Sequence, residues 1–241
     1  MLGLIDWRVL RRIATDYPRT TAAVVLVNVF PLGGVLFGGW SAGLLLTLYW
    51  LETGILLVFA LAAGLFAAQP GDTSNDNLPL HRLVNSDRSF HLRSDGPTVY
   101  VRNVPVVLSS AILFGIFWVG HGVFVRFFAT VIGGGGLTID HWFALALVGV
   151  VCGQASEFYS EQFVDRHDRT ANAKTQSFSI AQRTIILHLT LLLGGFVIVV
   201  AALIFPPASV LVLVLLIAFK MPYELVSNAR VREVSSEDGA P

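Results

Sequence analysis

The chain has 241 residues, of which 54% are hydrophobic and only 13% charged, and its mean hydropathy is +0.70. A soluble domain carries about a quarter charged residues, so the composition excludes an ordinary soluble surface and points to the membrane. Basic and acidic side chains cancel to a net charge of zero, which argues against a nucleic-acid partner. The single cysteine, Cys152, excludes an intrachain disulfide and a thiolate metal cluster.

The opening MLGLIDWRVLRR has no apolar run ahead of a cleavage site, so a cleaved signal peptide is not expected. Leu2, Ile5, Val9 and Ile13 recur at helical spacing, with Arg8, Arg11 and Arg12 on the other side. Residues 1–18 therefore read as a short amphipathic helix lying in the cytoplasmic interface and ending before Pro18. Residues 19–226 read as a transmembrane domain. A span needs about 20 mostly apolar residues, and six segments qualify: Thr21–Gly38, Ala42–Ala67, Val104–Ile132, Asp140–Phe163, Arg183–Phe205 and Pro207–Val226. The expected fold is all-α, a polytopic membrane bundle of about six transmembrane helices, followed by a polar tail at 227–241.

Residues 69–103 form a cytoplasmic loop in this reading. It opens on the polar QPGDTSNDN and continues RSFHLR–SDGP–TVYVRN, a period-two alternation around Asp95-Gly96 that reads as a β-hairpin. Two isolated strands are marginal, so the hairpin should pack on helix ends. Ser179 and Gln182 make a capping box at the start of the fifth span. Gly34 and Gly38, Gly149 and Gly153, and the Gly194-Gly195 pair read as helix-packing positions. Trp40, Trp142 and Tyr17 fall near the expected interfaces and read as belt residues. The run Gly133–Gly136 lacks the Lys-Ser/Thr of a phosphate loop and reads as a turn.

Cytoplasmic loops are enriched in Lys and Arg. Fourteen of the sixteen basic residues fall in the N-terminal segment, the loops after the second and fourth spans, the mouth of the fifth, and the tail. The intervening connections at 39–41, 133–136 and 206–207 carry none. This alternation predicts six spans in a cell membrane, with both termini cytoplasmic. The remaining two, Arg126 and Lys220, lie within spans.

Ionisable groups inside a span are costly and usually face the bundle interior. Taking about 1.5 Å per residue, Glu52 falls near the midplane, with His121 and Arg126 in the outer half. Gln154, Glu157, His188, Lys220 and Glu224 make an inner group, with Asp140 and His141 at the outer rim. Lys220, Tyr223 and Glu224 could line a substrate or proton site, or Lys220 and Glu224 could be an internal ion pair beside Pro222. Glu52, His121, Glu157 and His188 could supply four metal ligands from four helices, or each could make its own interhelical hydrogen bond. Phe117, Trp118 and Phe124 flank His121 as core aromatics, and haem ligation by His121 and His188 is a further alternative. No cofactor is named by any motif. The only partner expected is the lipid bilayer, and oligomeric state is open.

Three stretches, NVFPLGGVLFGGWSAGLLLTLYWLETGILLVF, HGVFV at His121–Val125 and RTIILHLTLLLGGF at Arg183–Phe196, together resemble an uncharacterised family of multi-pass prokaryotic membrane proteins, a domain of unknown function. The matching elements are the YWLE of Tyr49–Glu52, the HG-x-FV of the third span and the R-x4-H-x5-GG of the fifth. The likeness runs from about Asn28 to Glu224 and is weakest in the hairpin loop. Family members often carry Asn where this chain has Thr53, and another His before the HG where this chain has apolar residues. The resemblance implies the topology and the choice of site residues and assigns no activity. Three functions fit: a small transporter or channel with a buried polar site, a membrane-embedded enzyme (metal-dependent or not) acting on an apolar substrate, or a structural and interaction protein.

Overall fold

The computed structural model describes residues 7–16, 18–69, 88–91, 97–133 and 140–164, with single positions at 173, 193, 196, 197, 200, 217, 221, 222, 225 and 226. The spans expected at 183–205 and 207–226, the Ser179–Gln182 capping box, Gly194-Gly195 and most of the 133–136 turn lie outside these residues.

The described chain is mostly helical: α1 Trp7–Asp16, α2 Pro18–Phe37, α3 Ala42–Phe66, α4 Val104–Gly133 and α5 His141–Tyr159. Strands β1 Ser89–His91 and β2 Thr98–Tyr100 pair antiparallel, Phe90 opposite Val99. Residues 101–103 leave the strand for a 3₁₀ turn, so β2 is shorter than the TVYVRN alternation predicts. The reason is a tertiary demand: Asn103 and Arg102 must reach the end of α3. The Asn103 amide donates to the carbonyls of Gly64, Leu65 and Ala67 at 3.1, 3.4 and 2.8 Å, and Arg102 donates to that of Ala68. Helix C-termini leave carbonyls without partners, and here a neighbouring segment supplies them.

The other caps are local. Pro18 sits at the first position of α2, where its missing N–H costs nothing. The Ser41 hydroxyl accepts the Leu44 N–H at 3.1 Å and caps α3. The Asp140 carboxylate accepts the Phe143 N–H at 2.8 Å and caps α5. α2 ends where Gly39 enters the left-handed region at φ 71°, the usual way to stop a helix.

Among the described residues, three helical stretches, Gly43–Phe66, Val101–Thr130 and His141–Val164, are long and apolar enough to cross a membrane, and Asn28–Phe37 is a shorter apolar piece. They differ in enclosure. In α3, 56% of the most apolar window is buried, against 22% and 17% for the other two. Leu44, Leu45, Leu46, Leu48 and Tyr49 are all buried, so the first turns of α3 are enclosed on every side, while Val58 further along is exposed. α4 buries one stripe, through Val107, Ser110, Phe114, His121, Val125 and Ala129, and exposes Ile112, Ile116, Val123 and Phe127. Exposed apolar surface on that scale suits lipid.

The chain divides into two compact units. The first comprises Met1–Tyr49, Phe124–Gly149 and Leu189–Pro241. In it Trp40 is buried against Phe30 and Phe143, with ring centroids 6.5 and 6.0 Å away. Its indole N–H donates to the Asp140 carboxylate at 3.3 Å. Trp40 is thus a core residue rather than the expected belt residue, whereas Trp142 is exposed. Gly34 makes room for the Trp40 ring, and a Cβ there would lie 2.6 Å from it. Gly34 and Gly38 serve this chain reversal instead of a helix–helix seam, and the Gly34 carbonyl accepts the N–H groups of both Gly38 and Trp40. Gly43 packs directly on Ala129. Gly149 and Gly153 meet nothing among the described residues, so the expected packing role is not seen for either.

Candidate functional site

The second unit comprises Trp50–Val123 and Val150–His188. Its organising feature is a reciprocal tryptophan pair. Trp50 of α3 and Trp118 of α4 stack with centroids 4.3 Å apart and planes 7° from parallel. Each indole N–H donates to the other residue's backbone carbonyl, at 3.0 Å from Trp50 and 2.9 Å from Trp118. Each ring lies on the glycine one turn beyond its partner. A Cβ on Gly54 would stand 2.7 Å from the Trp118 ring, and one on Gly122 would stand 2.6 Å from the Trp50 ring. The Thr53 hydroxyl also donates to the Trp50 carbonyl, at 2.7 Å.

The rungs Trp50–Gly122, Gly54–Trp118 and Leu57–Phe114 run in opposite directions along the two helices. This antiparallel register has a consequence for the ionisable residues. Glu52 lies between the first two rungs on α3, and His121 lies between the same two rungs on α4. They are therefore level, within about one helical turn of 5.4 Å along the pair. Both are buried, each 4% exposed. The expected separation, with Glu52 at mid-depth and His121 further out, is replaced by a common level.

The other candidates fall elsewhere. Phe158 of α5 packs on Phe59 and Phe66, at 5.4 and 6.0 Å. Glu157 beside it is therefore two to four turns along α3 from Glu52, roughly 10–20 Å. Gln154 and Glu157 are both half-buried and lie one turn apart on α5. Arg126 and His141 are exposed, and Asp140 is committed to capping and to Trp40. Of the aromatics around His121 only Trp118 faces inward, while Phe117 and Phe124 are exposed. Among the described residues no group of three or more His, Cys, Asp or Glu side chains converges as a metal site would require. His188, the fourth proposed ligand, and Lys220, Tyr223 and Glu224 lie outside the described residues.

Sequence reasoning passed over several buried polar residues. Asn28 and Gln162 are 0% exposed, and Thr53 and Asn103 are also buried. The tryptophan pair was missed as well, although its signal is present: Trp-x3-Gly occurs once in each partner helix, as WLETG and as WVGHG.

The profile of one protein family matches residues 12–240. The chain belongs to this family of unknown function (DUF6498). The match takes in every described element except the first half of α1, so Glu52, His121 and the tryptophan pair all fall within the family domain. No curated protein and no solved structure matches the chain.

Proposed function

We infer that the chain is an integral membrane protein of about six spans with both termini cytoplasmic, and that it moves a small solute, ion or proton past a buried level formed by Glu52 and His121. The observation that carries this reading is the placement of one carboxylate and one imidazole at the same level, both buried, with the carboxylate on the most enclosed helix. A carboxylate inside a span is costly and usually marks an ion or proton path. An imidazole beside that level can take up and release a proton near neutral pH. The alternation of basic loops along the sequence supports the topology.

The test is flux into liposomes holding the purified chain, followed with a pH-sensitive dye and with tracer ions. Wild type should pass protons, an ion or a small solute. Glu52→Gln should abolish that flux while eluting as a single species of wild-type size. Wild-type liposomes with no flux above protein-free ones, or undiminished flux in Glu52→Gln, would exclude the reading.

A further inference from the structure

A second polar arrangement lies where α3 ends and the hairpin begins. Arg102 is held there by two contacts. One guanidinium nitrogen donates to the Ala68 carbonyl. The guanidinium stands 4.6 Å from the Tyr100 ring centroid. The neighbouring Val101 N–H donates to the Arg88 carbonyl at 3.1 Å, which brings a second arginine to the base of the hairpin. The Arg102 Nε is buried and has no hydrogen-bond partner among the described residues.

Gln162 lies at the same end of the unit. It sits in a π-helical turn, Ser160–Val164, that finishes α5. Phe158 and Phe163, to either side of it in the chain, both pack on Phe66, two residues before Ala68. Gln162 is 0% exposed, and among the described residues neither atom of its amide has a hydrogen-bond partner. Buried polar groups are nearly always paired, and π turns gather at functional sites. Two independent residues around Phe66 and Ala68 thus hold polar atoms without a partner among the described residues.

We propose that Arg102 and Gln162, with Arg88 at the rim, bind a phosphate group, carried by a phospholipid headgroup or free in solution. The Nε–H edge of a guanidinium matches a phosphate oxygen, and the Tyr100 ring and Ala68 carbonyl fix its plane in advance. The Gln162 amide nitrogen donates to a second phosphate oxygen. Its carbonyl accepts from a headgroup hydroxyl or ammonium. The N-terminus of α4 begins two residues after Arg102 and favours negative charge at this place. Basic pockets at the cytoplasmic ends of helices are a recurrent way of holding anionic headgroups.

The experiment follows thermal unfolding of the full chain in a phosphate-free detergent. Phosphatidylglycerol, inorganic phosphate, and a diacylglycerol glycolipid without phosphate are titrated separately. Phosphatidylglycerol or inorganic phosphate should raise the midpoint, and whichever acts alone or at lower concentration is the source. Arg102→Lys keeps the charge but loses the Nε–H, and should bind about tenfold more weakly, the weight of one charge-assisted hydrogen bond. Gln162→Leu removes the unpaired amide, so without ligand it should unfold at or above the wild-type midpoint, and it should lose the response to phosphate. An equal response to the glycolipid would overturn the proposal. So would a wild type that responds to neither phosphate source, or an unchanged response in both variants.

Discussion

At the scale of single residues, two glycines carry more of the second unit than their size suggests. Gly54 and Gly122 each lie under an indole ring at a distance no Cβ tolerates, and the atoms opposing them belong to rigid rings already hydrogen-bonded to backbone. Neither neighbour can shift without breaking the other half of the pair. Gly54→Ala and Gly122→Ala should therefore each destabilise by about 1–3 kcal/mol, the range for forcing extra volume into a packed core. The two should also be non-additive in a double-mutant cycle, since either one opens the same stack. Thermal unfolding in detergent, read by tryptophan fluorescence, measures both effects. The sequence displayed the residue types here and concealed the partnership. Trp118 reads naturally as a core aromatic beside His121, and nothing local says that its partner is Trp50, sixty-eight positions away. The burial of Glu52 and His121 was legible from the cost of ionisable groups in apolar segments. Their common level was not, because it depends on how two helices slide past each other.

At the scale of elements, α2 to α5 were read from hydropathy to within a few residues at most ends. Length and apolarity alone suffice for a helix that must satisfy its own backbone in lipid. The hairpin strands flank the Asp95-Gly96 turn signal, and Phe90 and Val99 face each other across them. What sequence patterns missed was the end of β2, because period-two alternation continues through Val101–Asn103 while the backbone turns to serve α3. This gives Asn103 a role out of proportion to one amide: it is buried and donates to three carbonyls at the end of the most enclosed helix. Asn103→Leu keeps the volume and strands those carbonyls. It should cost about 1–3 kcal/mol, the penalty for leaving buried polar groups unsatisfied. Asn103→Asp should be no better, because a carboxylate offers the carbonyls no donor. Chemical or thermal unfolding of the purified variants checks the ranking, with the hairpin's own Thr98–His91 contact as an unaffected control.

At the scale of the whole molecule, the bilayer enters through an asymmetry of burial. A chain whose apolar helices were all enclosed could be soluble, but two of these three present large aliphatic and aromatic side chains outward. With the basic loops alternating along the sequence, the expected arrangement has residues 69–103 inside the cell and residues 133–136 outside. Single cysteines placed at Asn75 and Gly134 in a Cys152→Ser background test this. A membrane-impermeant maleimide should label Gly134→Cys in intact cells, and Asn75→Cys only after permeabilisation. Replacing Cys152 first is necessary because it is exposed. The reverse labelling, or labelling of both in intact cells, contradicts the topology.

The tryptophan pair also constrains how such a protein could change shape. A slip of one residue between α3 and α4 would drive both indoles into backbone and break both of their hydrogen bonds at once. No intermediate displacement recovers either bond. The two helices are thus geared together and must travel as one rod. If the Glu52–His121 level is exposed in turn to the two sides of a membrane, the sliding surface has to be found on other faces of that rod.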